Sequence, residues 1–446
     1  MLFVLTIVIL FYFFINKKNL SERLAIMTIF YSVFFFSSKD PFIGIPLYFY
    51  IMLLSILTAC LKKRSFNTYT KKSFLFVFLL LFEMLLQIIN IKYNFNITPT
   101  LLINSSITDT INIKNELVYP EVNFTVIKHF IFFALYLFFV YFNINTFQSD
   151  FFSNNLLKTM KKGCHFIFIG SFIEFIVVNI TNLNTVPIME FIFSFQSNTY
   201  YNWDGFLNTT SVSFCLVERS AYMDIIIFYY LILLKEKFVL NCKNMTMLFL
   251  SLFCIFFSSS SSTLFAGIIF FCLWLIKSIF ESGDIRVKLI SLFTIFMTII
   301  VVISNYNFLF SKIIDYYDGT VQWSSSFFRR QANNYGLEAF KFSPILGLGI
   351  GTNYSHSMLI QVLANIGILG LLLTLLFHLS LIKISFNIKN ILIISLLIII
   401  YTNSGLIQTF TSPSLLFCFL CIGNIRNTNK SILSNKQDYR LNSIFN

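Results

Sequence analysis

The sequence predicts an all-α polytopic membrane helix bundle of about 11–13 transmembrane helices with two large functional loops on the outer side. Three observations predict it. Aliphatic and aromatic residues make up 57% of the 446 residues and charged residues only 11%, where a soluble domain carries roughly 25% charged residues. Apolar runs recur from end to end, several near the roughly 20 residues a span needs. Basic residues gather in every second loop, the pattern of cytoplasmic loops. No polar stretch is long enough for a soluble domain, so residues 1–446 read as one transmembrane domain. The net charge of +13 belongs with those loops and not with a nucleic-acid partner.

The spans can be taken in order. The first eight lie near Leu2–Ile15, Leu24–Phe36, Phe42–Leu61, Phe74–Ile91, Phe124–Phe142, Cys164–Ile180, Tyr222–Leu234 and Met245–Phe257. The last five lie near Leu264–Phe280, Leu289–Ser304, Met358–Leu381, Ile391–Tyr401 and Leu406–Cys421. Ser258–Thr263 leaves almost no loop between two of them, which predicts a tight hairpin. The first run resembles a signal peptide but lacks a basic leading segment and a small-residue cleavage site, so it reads as a span.

Charge sets the orientation. Lys17, Lys18 and Arg23 follow the first span, and Lys62, Lys63, Arg64, Lys71 and Lys72 the third. Lys158, Lys161 and Lys162 are expected in a loop after the fifth, and Lys235, Lys237 and Lys243 follow the seventh. Lys277, Arg286, Lys288, Lys383 and Lys389 continue the alternation into a cytoplasmic tail, residues 423–446. Thirteen spans then put the N-terminus outside. The outer loops are 92–123, 181–221 and 305–357. Only Cys215 lies in one of them, so no disulfide framework is available there. Four scattered histidines without ligand spacing give no metal site.

The third outer loop carries the strongest signal. Ser326 can cap a helix, on which Phe328, Ala332, Tyr335 and Ala339 share one face. Ser343-Pro344 ends it, because the residue before proline avoids the α region. Such a helix would lie on the membrane surface and present Arg329 or Arg330 to a central cavity. Gly347, Gly349 and Gly351 permit tight turns, but without a Lys-Ser/Thr ending they are no phosphate-binding loop. His356 follows at the mouth of a span, in which Gly367 and Gly370 allow close helix packing.

This order of Arg, Ser-Pro-x-x-Gly-x-Gly, His and Gly-x-x-Gly, over about Arg329–Gly370, resembles the O-antigen polymerase and ligase superfamily of bacterial membrane enzymes. The resemblance implies a multi-pass protein of the bacterial inner membrane with its outer loops in the periplasm. It implies no cofactor, and an O-antigen polymerase that joins undecaprenyl-pyrophosphate-linked oligosaccharide repeat units into polysaccharide. The implied partners are those lipid-linked glycans, with a chain-length regulator and a flippase in the same membrane. A ligase shares the motifs; a flippase or other transporter is the reading of a different class. Positionally, the resemblance also carries a functional arginine onto Arg219, just before a mid-chain span.

The chemistry fits that location. A donor outside the membrane must arrive activated, and its departing pyrophosphate suits guanidinium forks. Arg219, Arg329 and Arg330 are the substrate-binding candidates for a metal-independent transfer. The acceptor hydroxyl needs a base or orienting group: His356 leads, with Asp224 and Glu218 in reserve. Glu83, Glu174 and Asp224 lie within or at the edge of spans, where a carboxylate marks function or pairs with Lys128 or a helix dipole. Loop aromatics such as Tyr200, Trp203 and Trp323 read as an interfacial belt.

Overall fold

The computed structural model describes residues 1–16, 18–35, 38–39, 45–61, 68–93, 100–101, 117–118, 122, 124–181, 186–193, 214, 222–236, 242–257, 261–304, 325–353, 355, 357–383, 388–403 and 413–425. Its helices are α1 (Leu2–Ile15), α2 (Leu20–Phe34), α3 (Leu47–Leu61), α4 (Thr68–Tyr93), α5 (Phe124–Phe142), α6 (Ile144–Phe147), α7 (Asp150–Thr181) and α8 (Val186–Phe193). They continue as α9 (Tyr222–Lys235), α10 (Cys242–Phe257), α11 (Ser261–Glu281), α12 (Ile285–Ser304), α13 (Ser325–Phe342), α14 (Met358–Leu381), α15 (Ile388–Asn403) and α16 (Pro413–Ile422). Two antiparallel two-residue pairs, β1 (Thr100–Leu101) with β2 (Leu117–Val118) and β3 (Ile382–Lys383) with β4 (Asn424–Ile425), are the strands among the described residues. Every expected apolar run has a helix over most of its described residues, 406–412 of the last run lying outside them, and the chain is a membrane helix bundle.

Burial orders the bundle. Every residue of α9 from Tyr222 to Leu234 is buried, packed against α2, α7, α10, α11 and α16. That is the pattern of a helix apolar all round at the centre of a membrane protein. The α1 and α12 helices lie at the edge and expose Val4, Val8 and Phe11, and Leu289, Ile290 and Phe293. In water such faces would cost about 25 cal/mol per Å²; in lipid they cost nothing. Among the described residues four helices are long and apolar enough to cross alone: Lys72–Ile91, Asp150–Thr181, Thr263–Glu281 and Met358–Leu381. Several other apolar helices are shorter, Leu47–Leu61 among them. At 1.5 Å per residue such a helix is about 22 Å long, less than the roughly 30 Å hydrocarbon core, but the bundle interior covers much of its surface.

One expectation about loops changes. Lys158, Lys161 and Lys162 lie on α7, not in a loop. That helix has 32 residues, about 48 Å at 1.5 Å each, so its first turns extend past the bilayer. Asp150 in its first turn suits the positive end of the helix dipole. Two other lysines of the basic loops also finish helices. Lys277 is buried and donates to the last carbonyls of α9, Leu233 at 2.9 Å and Leu234 at 3.0 Å, and to the Glu236 carbonyl just beyond. Lys235 donates to the Leu420 carbonyl and to that of Gly423 (3.1 Å) at the end of α16. Both occupy the position where a helix leaves carbonyls without partners and its dipole favours a cation. Lys161 pairs with Glu236 at 2.5 Å.

Reporter fusions test the alternation. Fusions after Lys72, Lys162, Lys243 and Lys389 are expected to report cytoplasm, and those at Ile113, Asn202 and Asp318 the outer side. A cytoplasmic signal at Asp318 would remove the third loop from the outer face.

Candidate functional site

Helix α13 is the least apolar of the long helices: its sequence SSFFRRQANNYGLEAFKF mixes charge and amide with a narrow stripe of small residues. Ala332 and Ala339 are buried on that stripe. Between them Gly336 faces Ser355, Asn353 and Ile360, where any Cβ would collide. The helix thus lies close against the start of α14 at Gly336. It begins at Ser325, one residue before the expected cap. At about 100° per residue, position 330 falls on the side opposite the stripe and position 329 beside it. Arg330 is exposed, on the open side of the helix and not in a buried cavity; the side chain of Arg329 lies outside the described residues.

After Ser343-Pro344 the chain forms a strap across α14. Gly347, Gly349 and Gly351 all have positive φ, at 70°, 103° and 85°. The strap meets α14 where that helix breaks: Gly367 has φ 64° and ψ −172°. A break within a span strands backbone groups that lipid cannot satisfy. Here the strap satisfies them in both directions. Leu348 N–H donates to the Ala364 carbonyl and Gly349 N–H to that of Asn365, each at 2.8 Å. Ile368 N–H donates to the Pro344 carbonyl at 2.9 Å and Leu369 N–H to that of Ile345 at 3.1 Å. The two backbones are so close that a Cβ on Gly367 would strike the Ile345 carbonyl, and one on Gly347 would lie 2.5 Å from the Asn365 carbonyl.

Side chains then lock the seat. Asn365 accepts from Asn353 N–H and donates to its carbonyl, both at 3.0 Å. Thr352 donates to the Gly349 carbonyl at 2.7 Å, and Ser355 to Asn353 Oδ1 at 2.8 Å. Asn333 on α13 accepts from Ser357 N–H at 2.8 Å, and Ser357 caps α14 by accepting from Ile360 N–H. From below, Gln87 on α4 donates to the Leu346 carbonyl at 2.8 Å and to Glu83 Oε1 at 2.6 Å. The Glu83 carboxyl is 2% exposed and lies over Gly370; its partner is Gln87, not Lys128. On α5, the His129 ring abuts Gly351. Sequence reasoning passed over Gln87, His129 and Asn365. The available signals were a Glu and a Gln four residues apart in one apolar run, and an asparagine two residues before a glycine in another.

Gly367→Ala is expected to unseat the strap. This positive-φ, extended-ψ backbone alone costs a residue with a Cβ about 1–3 kcal/mol, and the obstructing atom is backbone that cannot swing away. The purified variant should melt several degrees lower, whereas Gly283→Ala, with nothing within 4 Å of the added Cβ, should match the parent. Equal melting of both variants would contradict this account.

The remaining candidates sit apart from the strap or outside the described residues. Asp224 is buried in the first turn of α9, a place where the helix dipole favours a carboxylate. Two residues earlier the Tyr222 hydroxyl bonds Ser171 of α7, and on the same helix Glu174 accepts from Phe214 N–H at 2.6 Å. Phe214 is left-handed, at φ 42°. An apolar cavity of about 320 Å³ lies between α7, α8 and Phe214, lined by Phe166, Ile169, Ile173 and Met189, with Glu174 at its wall. Glu218, Arg219 and His356 lie outside the described residues. Among the described residues no three His, Cys, Asp or Glu side chains gather as metal ligands would. In comparisons with protein-family models, curated proteins and solved structures, the chain matches none.

Proposed function

We propose that the chain is a membrane glycosyltransferase of the O-antigen polymerase type, joining undecaprenyl-pyrophosphate-linked repeat units on the periplasmic face of the inner membrane. The observation that supports it best is that the described residues of Arg329–Gly370, the segment carrying the resemblance, lock together. A glycine strap and a broken span are tied together by backbone bonds, and the arginine-bearing helix is tied to the start of that span through Asn333. Rigid support of this kind is what a site needs to hold charge-stabilising groups in place during a transfer.

In this reading Arg219, Arg329 and Arg330 hold the pyrophosphate of the donor, whose anomeric carbon is attacked by a hydroxyl at the far end of the acceptor unit. The bond to pyrophosphate breaks as the new glycosidic bond forms. The hydroxyl proton passes to His356, with Asp224 or Glu218 in reserve, and the lipid pyrophosphate leaves. The apolar cavity beside Glu174 suits an isoprenoid or acyl chain, since it opens among lipid-facing helices.

A transporter is favoured by one feature, the broken span with a buried carboxyl, which transporters place at their binding sites. In transporters the freed backbone faces a substrate cavity; here the strap occupies it. Deletion of the coding gene distinguishes the readings. Loss of a polymerase should leave surface glycolipid capped with single repeat units. Loss of a flippase should leave no capped glycolipid, and loss of a ligase should leave finished polymer on the carrier lipid. Either of the last two patterns would refute the proposal.

A further inference from the structure

Glu83 lies well inside α4, ten residues before its outer end at Tyr93, yet its carboxyl reaches the seat of the strap. Oε1 accepts from Gln87, whose amide also holds the Leu346 carbonyl. Oε2 is buried and has no hydrogen-bond partner among the described residues. Both oxygens lie 2.9 Å from where a Cβ on Gly370 would stand, so glycine at 370 is what lets the carboxyl approach the second half of α14. Glu83 forms no ion pair among the described residues; the pairs there are Lys161–Glu236 and Lys277–Glu281.

An ionised carboxylate with one amide partner, out of water and without a cation, is far costlier than the neutral acid. The bond to Gln87 does not require charge, because either form of the acid can accept it. We propose that Glu83 is a positioning residue for the outer-face site: as a neutral acid, with its proton on Oε2, it holds Gln87 on Leu346 and so keeps the strap seated on the broken helix. No proton is transferred in this role, and Glu83 touches neither substrate nor leaving group. The sequence of supports is short: Gly370 admits the acid, the acid orients Gln87, and Gln87 fixes the carbonyl one residue before Gly347. The inference depends on the polymerase reading only for its effect on polymer.

A buried reporter in the strap tests it. Leu348 is fully buried against Ala339 and Ala364, so Leu348→Cys should be shielded from a thiol reagent while the strap is seated. Modification of that residue would be followed by mass spectrometry in membranes carrying the parent, Glu83→Gln, Glu83→Ala or Gln87→Leu. The parent and Glu83→Gln, a neutral isostere, should stay protected. Glu83→Ala and Gln87→Leu should be labelled about tenfold faster, as expected when a local opening loses one bond of its support. If Leu348→Cys does not accumulate, Ile350→Cys, also buried, takes its place. Protection in Glu83→Ala equal to the parent would overturn the inference, and so would labelling of Glu83→Gln as fast as Glu83→Ala, which would mean that charge is required. Polymer length in the same cells should follow the labelling. Labelling as expected with unchanged polymer would uphold the strap's dependence on Glu83 and refute the polymerase reading instead.

Discussion

Cells carrying Arg219→Ala, or Arg329→Ala together with Arg330→Ala, are expected to lose long-chain polymer while the protein accumulates normally. Loss of one donor to a developing anion typically costs about 10²–10³ in rate, enough to reduce a ladder of chain lengths to its lowest rungs. Protein level should hold, because Arg330 is exposed and lies opposite the small-residue stripe that fixes α13 to α14. Lysine should rescue poorly: an ammonium keeps the charge but lacks the planar fork that meets two phosphate oxygens at once. Wild-type ladders in the alanine variants would reduce these arginines to headgroup anchors. The double variant is the informative one, since neighbours on one turn can substitute for each other.

The second large effect is expected at His356. If it accepts the acceptor's proton or orients its hydroxyl, the neutral imidazole is the working form. Protonation removes the imidazole as a base, so polymerisation by purified protein should fall toward acid pH. His356→Ala should lower turnover by about 10²–10⁴-fold, the scale of a lost general base, with donor affinity retained because the arginines still hold the pyrophosphate. Intact turnover at saturating donor with weaker donor affinity would move His356 to the pyrophosphate and leave Asp224 or Glu218 as the base. Inhibition by a chelator, reversed by a divalent ion, would reject the metal-independent mechanism.

Much of the bundle could be read before any coordinates, because hydropathy reports side chains and membrane helices are selected by side chains. Phe124–Phe142 and Met358–Leu381 coincide with their helices at both ends. The failures share a cause. The break at Gly367 is invisible to hydropathy, since the run stays apolar across it and the change is in the backbone. The polar first turns of α7 resemble a loop by composition, and only their continuity with the span makes them helical. In the candidate site the three strap glycines were legible as turns, but not what they turn toward. The strap's partners are main-chain atoms of Ala364 and Asn365, which no side-chain pattern encodes. Glu83 was legible as a costly residue and Gln87 was not, because one amide in an apolar run is unremarkable until its carbonyl partner is known. The placing of Arg330 on the open side of α13 follows from register against Ala332 and Ala339, once those are known to be the buried pair.

The broken span also has a history in the making of the protein. Residues 358–366 and 368–381 each fall short of the roughly 20 residues that cross a bilayer. Joined at Gly367, they present open amides and carbonyls to any hydrocarbon they enter. Chain order resolves this. The strap is synthesised before the span it closes, and if the third loop is external it has already been exported when α14 reaches the insertion machinery. In the proposed orientation the partner that makes α14 tolerable in lipid is waiting on the outer face at the moment of its integration, and insertion and tertiary folding become one event for this helix. A lesion in the strap would then register first as failed insertion of everything downstream of residue 357, before it registered as lost chemistry.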